Sequence, residues 1–148
     1  MFRDIRSGSA SSNPFYQTVF NDNLYFAATD RMNETELWVY DGTNATLVQD
    51  IRSGSDPSNP NSLTVFNDKL YFKANDGTNG TELWVYDGTN ATMVQDINSG
   101  STSSSPFRLT VFNDELYFSA DDGTNGQELW VNDGTNATLV KALRSGTD

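Results

Sequence analysis

The sequence predicts an all-β chain built from three copies of one four-stranded antiparallel unit, on three observations. The stretch TELWVYDGTNAT at 35–46 returns unchanged at 81–92 and as QELWVNDGTNAT at 127–138, so Trp38, Trp84 and Trp130 stand 46 residues apart. The same step relates VFNDNLYF, VFNDKLYF and VFNDELYF, which begin at Val19, Val65 and Val111. Within each period, short aromatic and β-branched runs alternate with Asn, Asp, Gly and Ser clusters, and no window sustains a 3.6-residue apolar pattern.

In the middle copy the strand-like runs fall at 62–66, 69–74, 82–86 and 92–97. Asn67-Asp68 divides the first two. NDGTNG at 75–80 forms a longer hairpin loop before the third, which Asp87-Gly88 closes; Asp-Gly favours the φ > 0 turn that matches strand twist. SGSDPSNPN at 53–61 joins one unit to the next. The units therefore run 7–51, 52–97 and 98–143 within a single repeat domain, 1–148, with 144–148 as a tail. Residues 1–6 carry an extra fourth-strand segment, since Phe2-Arg3-Asp4-Ile5 aligns with Val48–Ile51, as does Val140-Lys141-Ala142-Leu143.

Along the third run Leu83 and Val85 point one way while Trp84 and Tyr86 point the other. Both faces are apolar, so each sheet needs a neighbour on either side. Four-stranded antiparallel sheets with a period near 46, covered on both faces, predict the blades of a β-propeller; a stacked solenoid usually has shorter repeats and parallel pairing. Trp38, Trp84 and Trp130, with the turn residues Asp41, Asp87 and Asp133, are expected to be structural.

ELWVYDGT at Glu36–Thr43 and Glu82–Thr89, with ELWVNDGT at Glu128–Thr135, resembles the ELWxxDGT repeat of large bacterial surface and secreted proteins. The resemblance covers nearly the whole chain. It departs in the first copy, where Arg31 and Glu34 stand in place of Gly, and in DGTNAT, which shortens the usual DGTxxGT. It implies propeller-like arrays and an extracellular or cell-surface setting, without an activity. The near-identity of the copies fits recent amplification and deliberate construction alike.

Composition narrows the function classes. An aromatic fraction of 12% sets the chain apart from disordered sequences. A net charge of −11 disfavours nucleic acid and anionic membrane surfaces as partners. No apolar run approaches a membrane span, and MFRDIRSGSA lacks the apolar region of a signal peptide. There is no Cys and no His, which removes disulfides, thiolate metal sites and the commonest general base. Most of the acids recur with the repeat, so no asymmetric acid–base pair is in view and no enzyme is expected.

Three sets of residues are candidates for a site. The oxygen-rich loops offer Asp76, Asn79 and Glu82, and likewise Asp122, Asn125 and Glu128, as ligands for Ca²⁺; the competing reading is a self-bonded turn, with no cofactor. Tyr16, Ser62 and Arg108 differ at one first-strand position and would stand at the mouth of a propeller channel. Three blades leave two apolar faces open, so self-association is expected: two chains would give six blades, the favoured ring, and three chains nine. Phe2 and Ile5 would then act as an inter-chain clasp. The leading expectation is a non-enzymatic structural or interaction module; the alternative is a propeller module binding glycan or protein, in a calcium-dependent way.

Overall fold

The computed structural model describes residues 5–32 and 34–141. They form twelve strands in three four-stranded sheets. Sheet 1 holds β1 (Phe15–Phe20), β2 (Asn23–Thr29), β3 (Thr35–Tyr40) and β4 (Ala45–Gln49). Sheet 2 holds β5 (Asn61–Phe66), β6 (Lys69–Asn75), β7 (Thr81–Tyr86) and β8 (Ala91–Gln95). Sheet 3 holds β9 (Phe107–Phe112), β10 (Glu115–Asp121), β11 (Gln127–Asn132) and β12 (Ala137–Lys141). Each sheet is a meander in chain order, antiparallel throughout. The expected three-unit, all-β architecture is therefore present, and the sheets are consistent with propeller blades.

The turns divide the labour differently from expectation. The two-residue turn with φ > 0 at both positions lies at Asn-Asp: Asn67 and Asp68 have φ of 50° and 52°, and Asn21-Asp22 and Asn113-Asp114 behave alike. Asp87-Gly88 instead opens a four-residue loop. Asp87 N–H donates to Asn90 O at 3.2 Å, and Asp87 Oδ1 accepts from the amides of Thr89 and Asn90, both at 2.8 Å. A side chain that satisfies two loop amides makes the longer connection self-sufficient.

Two strand ends also differ from the sequence expectation. The fourth strand of sheet 2 stops at Gln95 rather than continuing to Ile97. Its register slips between Leu83 and Trp84. Ile97 then leaves the ladder, burying its side chain between sheets and donating its amide to Glu82. In each first strand, the register breaks around a residue held left-handed: Tyr16, Ser62 and Arg108 have φ of 58°, 59° and 56°.

The core consists of two layers, each lying between sheets. In the first, Phe20, Tyr25 and Leu37 of sheet 1 meet Leu70, Phe72 and Trp84 of sheet 2. In the second, Phe66, Tyr71 and Leu83 of sheet 2 meet Leu116, Phe118 and Trp130 of sheet 3. These are the same positions displaced by one period. Leu83 and Trp84 thus serve opposite layers, as their alternation requires. Burying each large apolar side chain contributes about 1.5–3 kcal/mol, so the layers rather than isolated sheets carry the stability. Between sheets, the main backbone approaches are β1 to β5 and β5 to β9, with the first strands side by side.

Candidate interaction site

Consecutive sheets are tied by more than apolar contact. The chain leaving sheet 1 at Ile51 runs to Ser58 before entering sheet 2. The Ser58 amide donates to Glu36 Oε1 at 2.8 Å, its hydroxyl donates to Oε2, and the Ile51 amide also donates to the Glu36 carboxylate. One period later the Ser104 amide donates to Glu82 Oε1 at 2.7 Å, its hydroxyl donates to Oε2, and the Ile97 amide donates to Oε2 at 3.2 Å. Each strap therefore wraps a buried carboxylate from the sheet behind it. Each is also fastened to the sheet ahead, through Asn75 N–H to Ser58 O and Asp121 N–H to Ser104 O, both at 2.9 Å.

Burial sets the electrostatics of these glutamates. Desolvation is the largest influence on Glu36 and lifts it to about 7, against the opposing hydrogen bonds from Ser58 and Ile51. Glu82 is raised for the same reasons.

Residues equivalent to those that fill the internal layers recur at the two ends of the molecule, exposed at the sheet 3 end and partly covered at the sheet 1 end, where Phe26 is 7% exposed. Phe66 is 6% exposed in the second layer, whereas Phe112, its counterpart on the outer face of sheet 3, is 60% exposed. Leu83 is 0% exposed and Leu129 is 39%. The opposite end is the outer face of sheet 1. There Leu24, Phe26 and Tyr40 line a nearly wholly apolar groove together with Ile5 and Pro14. A tilted Tyr25–Tyr86 ring pair closes the first layer; Tyr117 and Tyr40, at the equivalent positions on the outer faces of sheets 3 and 1, repeat its two halves.

The residues singled out from the sequence fall as follows. Asp76 and Asn79 meet: Asp76 Oδ1 accepts from the amides of Thr78 and Asn79 at 2.8 and 2.7 Å, and Asn79 Nδ2 donates to Oδ2 at 2.7 Å. Asp122 and Asn125 repeat this geometry, and the Asn125 amide and side chain hold Asp122 below its ordinary range. Glu82 does not join its loop partners but turns to Ser104 and Ile97, and Glu128 is buried. Among the described residues no three acidic side chains converge so as to hold a metal ion.

Asp41, Asp87 and Asp133 each accept two loop amides, chiefly that of the Asn three residues on, and are lowered accordingly. Trp84 and Trp130 are buried, each in one of the two layers, while Trp38 is half-buried on the outer face. Tyr16, Ser62 and Arg108 come to equivalent points of the three adjacent first strands, with Arg108 lying over the Phe107 ring at 5.3 Å. Ile5 sits on the outer face of sheet 1, and Phe2 lies outside the described residues.

Sequence reasoning missed the straps. Their signal was the recurrence of Ser12, Ser58 and Ser104 two residues before Pro14, Pro60 and Pro106, at the same period as the glutamates.

A scan against models of protein families matches none, and a search of curated proteins finds no relative.

Proposed function

We propose that the chain is a non-enzymatic interaction module that completes a propeller ring by self-association, two copies contributing six blades. The observation that carries this reading is the pairing of its open ends. The outer face of sheet 3 presents the residues that sheets 1 and 2 present to their successors. The outer face of sheet 1 presents those that sheets 2 and 3 offer backwards. A second copy placed one period on would bury Phe112 and Leu129 against Leu24 and Phe26, and would bring Tyr117 to Tyr40. Such head-to-tail contacts close a ring when the rotation per sheet permits. Close approach at the first strands supports wedge-shaped spacing about an axis. The resemblance to ELWxxDGT repeats agrees with this architecture and points to an extracellular or surface role.

The test is the solution mass by light scattering coupled to size exclusion, over a hundredfold dilution. Twice the chain mass of 16.4 kDa supports the six-bladed ring, and three times that mass would replace it with nine blades. A 16.4 kDa species at every concentration would overturn the reading.

A further inference from the structure

We propose that the loop formed by residues 5–12 is a third strap, which receives the Glu128 carboxylate of a second copy; the inference rests on the self-association reading and specifies its junction. Three observations lead to it. The first is construction. In both internal straps a glutamate accepts from an Ile amide and from a Ser amide and hydroxyl seven residues further on. Ile5 and Ser12 repeat that spacing. Glu36 is taken by Ser58 and Glu82 by Ser104. The step that leads from each glutamate to the following strap leads from Glu128 to a strap of the next copy.

The second is placement. The loop already occupies the strap position on the sheet ahead of it. Thr29 N–H donates to Ser12 O at 2.8 Å, matching the bonds from Asn75 and Asp121 to the other two serines. Arg31 Nε donates to Ser7 Oγ at 2.8 Å, and Ile5 lines the sheet 1 groove beside Pro14 and Leu24. What differs is the side facing away from sheet 1. Ser58 and Ser104 are 1% and 0% exposed, whereas Ser12 is only half-buried. A receptor held in shape before its ligand arrives loses little entropy on binding.

The third is steric. A Cβ on Gly80 would lie 2.8 Å from the carbonyl carbon of Thr102 in the strap that follows. Gly126, its counterpart in sheet 3, has nothing within 4 Å of that position among the described residues. Displacement by one period brings Ala10 of the second copy to the place of Thr102, beside Gly126. Closing the junction in this way surrounds the Glu128 carboxylate with charge-assisted hydrogen bonds and fixes the direction of assembly, which apolar faces alone leave loose.

The experiment measures the dissociation constant by sedimentation across a dilution series for the full chain, Ser12→Ala, Glu128→Gln, the double variant, Gly126→Ala and Phe112→Asp. The expected result is a loss of about tenfold or more for Ser12→Ala and for Glu128→Gln. The double variant should be no weaker than the weaker single, and Gly126→Ala should weaken association strongly. Constants within about twofold of the parent for Ser12→Ala and Gly126→Ala, with Phe112→Asp still disruptive, would overturn the strap while leaving self-association standing. A parent chain that stays monomeric removes the self-association itself. If Glu128→Gln fails to fold, shown by circular dichroism, Ser12→Ala and Gly126→Ala decide between the same outcomes.

Discussion

The Tyr25 ring of sheet 1 lies 5.7 Å from the Tyr86 ring of sheet 2, tilted by 51°, and one period on the place of Tyr86 is taken by Asn132. The exchange leaves a flaw in the second layer. Asn132 is buried, its Oδ1 accepts from Gly134 N–H at 2.8 Å, and its Nδ2 has no partner among the described residues. Burial, the leading cause, raises Tyr25 to about 12, so its ring is a neutral packing group at any ordinary pH.

Restoring the repeat residue should repair the flaw. Asn132→Tyr removes an unpaired buried donor and supplies an aromatic pair with Tyr71, for a gain of about 1 kcal/mol. Thermal unfolding followed by circular dichroism should rise by about 2–4 °C. A fall instead would mean that the second layer has closed around the smaller residue.

The two copies of one phenylalanine should behave oppositely. Phe66→Ala opens a cavity within a filled layer and should cost about 3–5 kcal/mol in denaturant unfolding. Phe112→Ala, from the exposed face, should leave the stability of the dissociated chain nearly unchanged and weaken association. Equal losses of stability at both positions would contradict the open-end description.

Glu36 makes stability depend on pH in the direction opposite to an ordinary ion-paired acid. Its folded value near 7 exceeds the ordinary value of 4.5, so between these limits the folded state binds more protons than the unfolded one. Its contribution is therefore complete below about 4.5 and is lost as the pH rises towards 7. The lowered Asp41, Asp87, Asp122 and Asp133 act the other way, losing their contribution as pH falls below the ordinary aspartate range. Melting temperature should peak in mild acid, and Glu36→Gln, which mimics the protonated group, should flatten the slope between pH 4.5 and 7. An unchanged slope in that variant would assign the dependence elsewhere.

The loops at 75–80 and 121–126 should be indifferent to calcium. The carboxylates of Asp76 and Asp122 are already engaged by amides of their own loops, and Glu82 is committed to a strap. Melts in millimolar CaCl₂ and in chelator should coincide. A rise of several degrees with calcium would show that the loops rearrange to bind it, and would favour the ligand-binding alternative.

Strand positions, the three-fold repeat and the two-faced burial were legible because each follows from neighbours in sequence. Alternation along ELWVY assigns Leu83 and Trp84 to opposite layers before any sheet is placed. The role of the ELW glutamate was not legible. Glu82 lies beside Asp76 and Asn79 in sequence, which suggested one oxygen cluster, yet its partner Ser104 is 22 residues away in an irregular segment. Which neighbour a buried carboxylate chooses depends on where a strap passes, and local propensity carries no record of that.

By itself, then, the sequence determined the repeating unit, its four strands and the need to cover both faces, since period-2 alternation and a 46-residue step are properties of the chain. Only the tertiary structure decided where the left-handed turn falls, why the fourth strand releases Ile97, and that Glu36 and Glu82 are gripped between sheets. Those outcomes come from packing one sheet on the next: a buried amide or carboxylate must find its partner across the junction, and the backbone bends until it does.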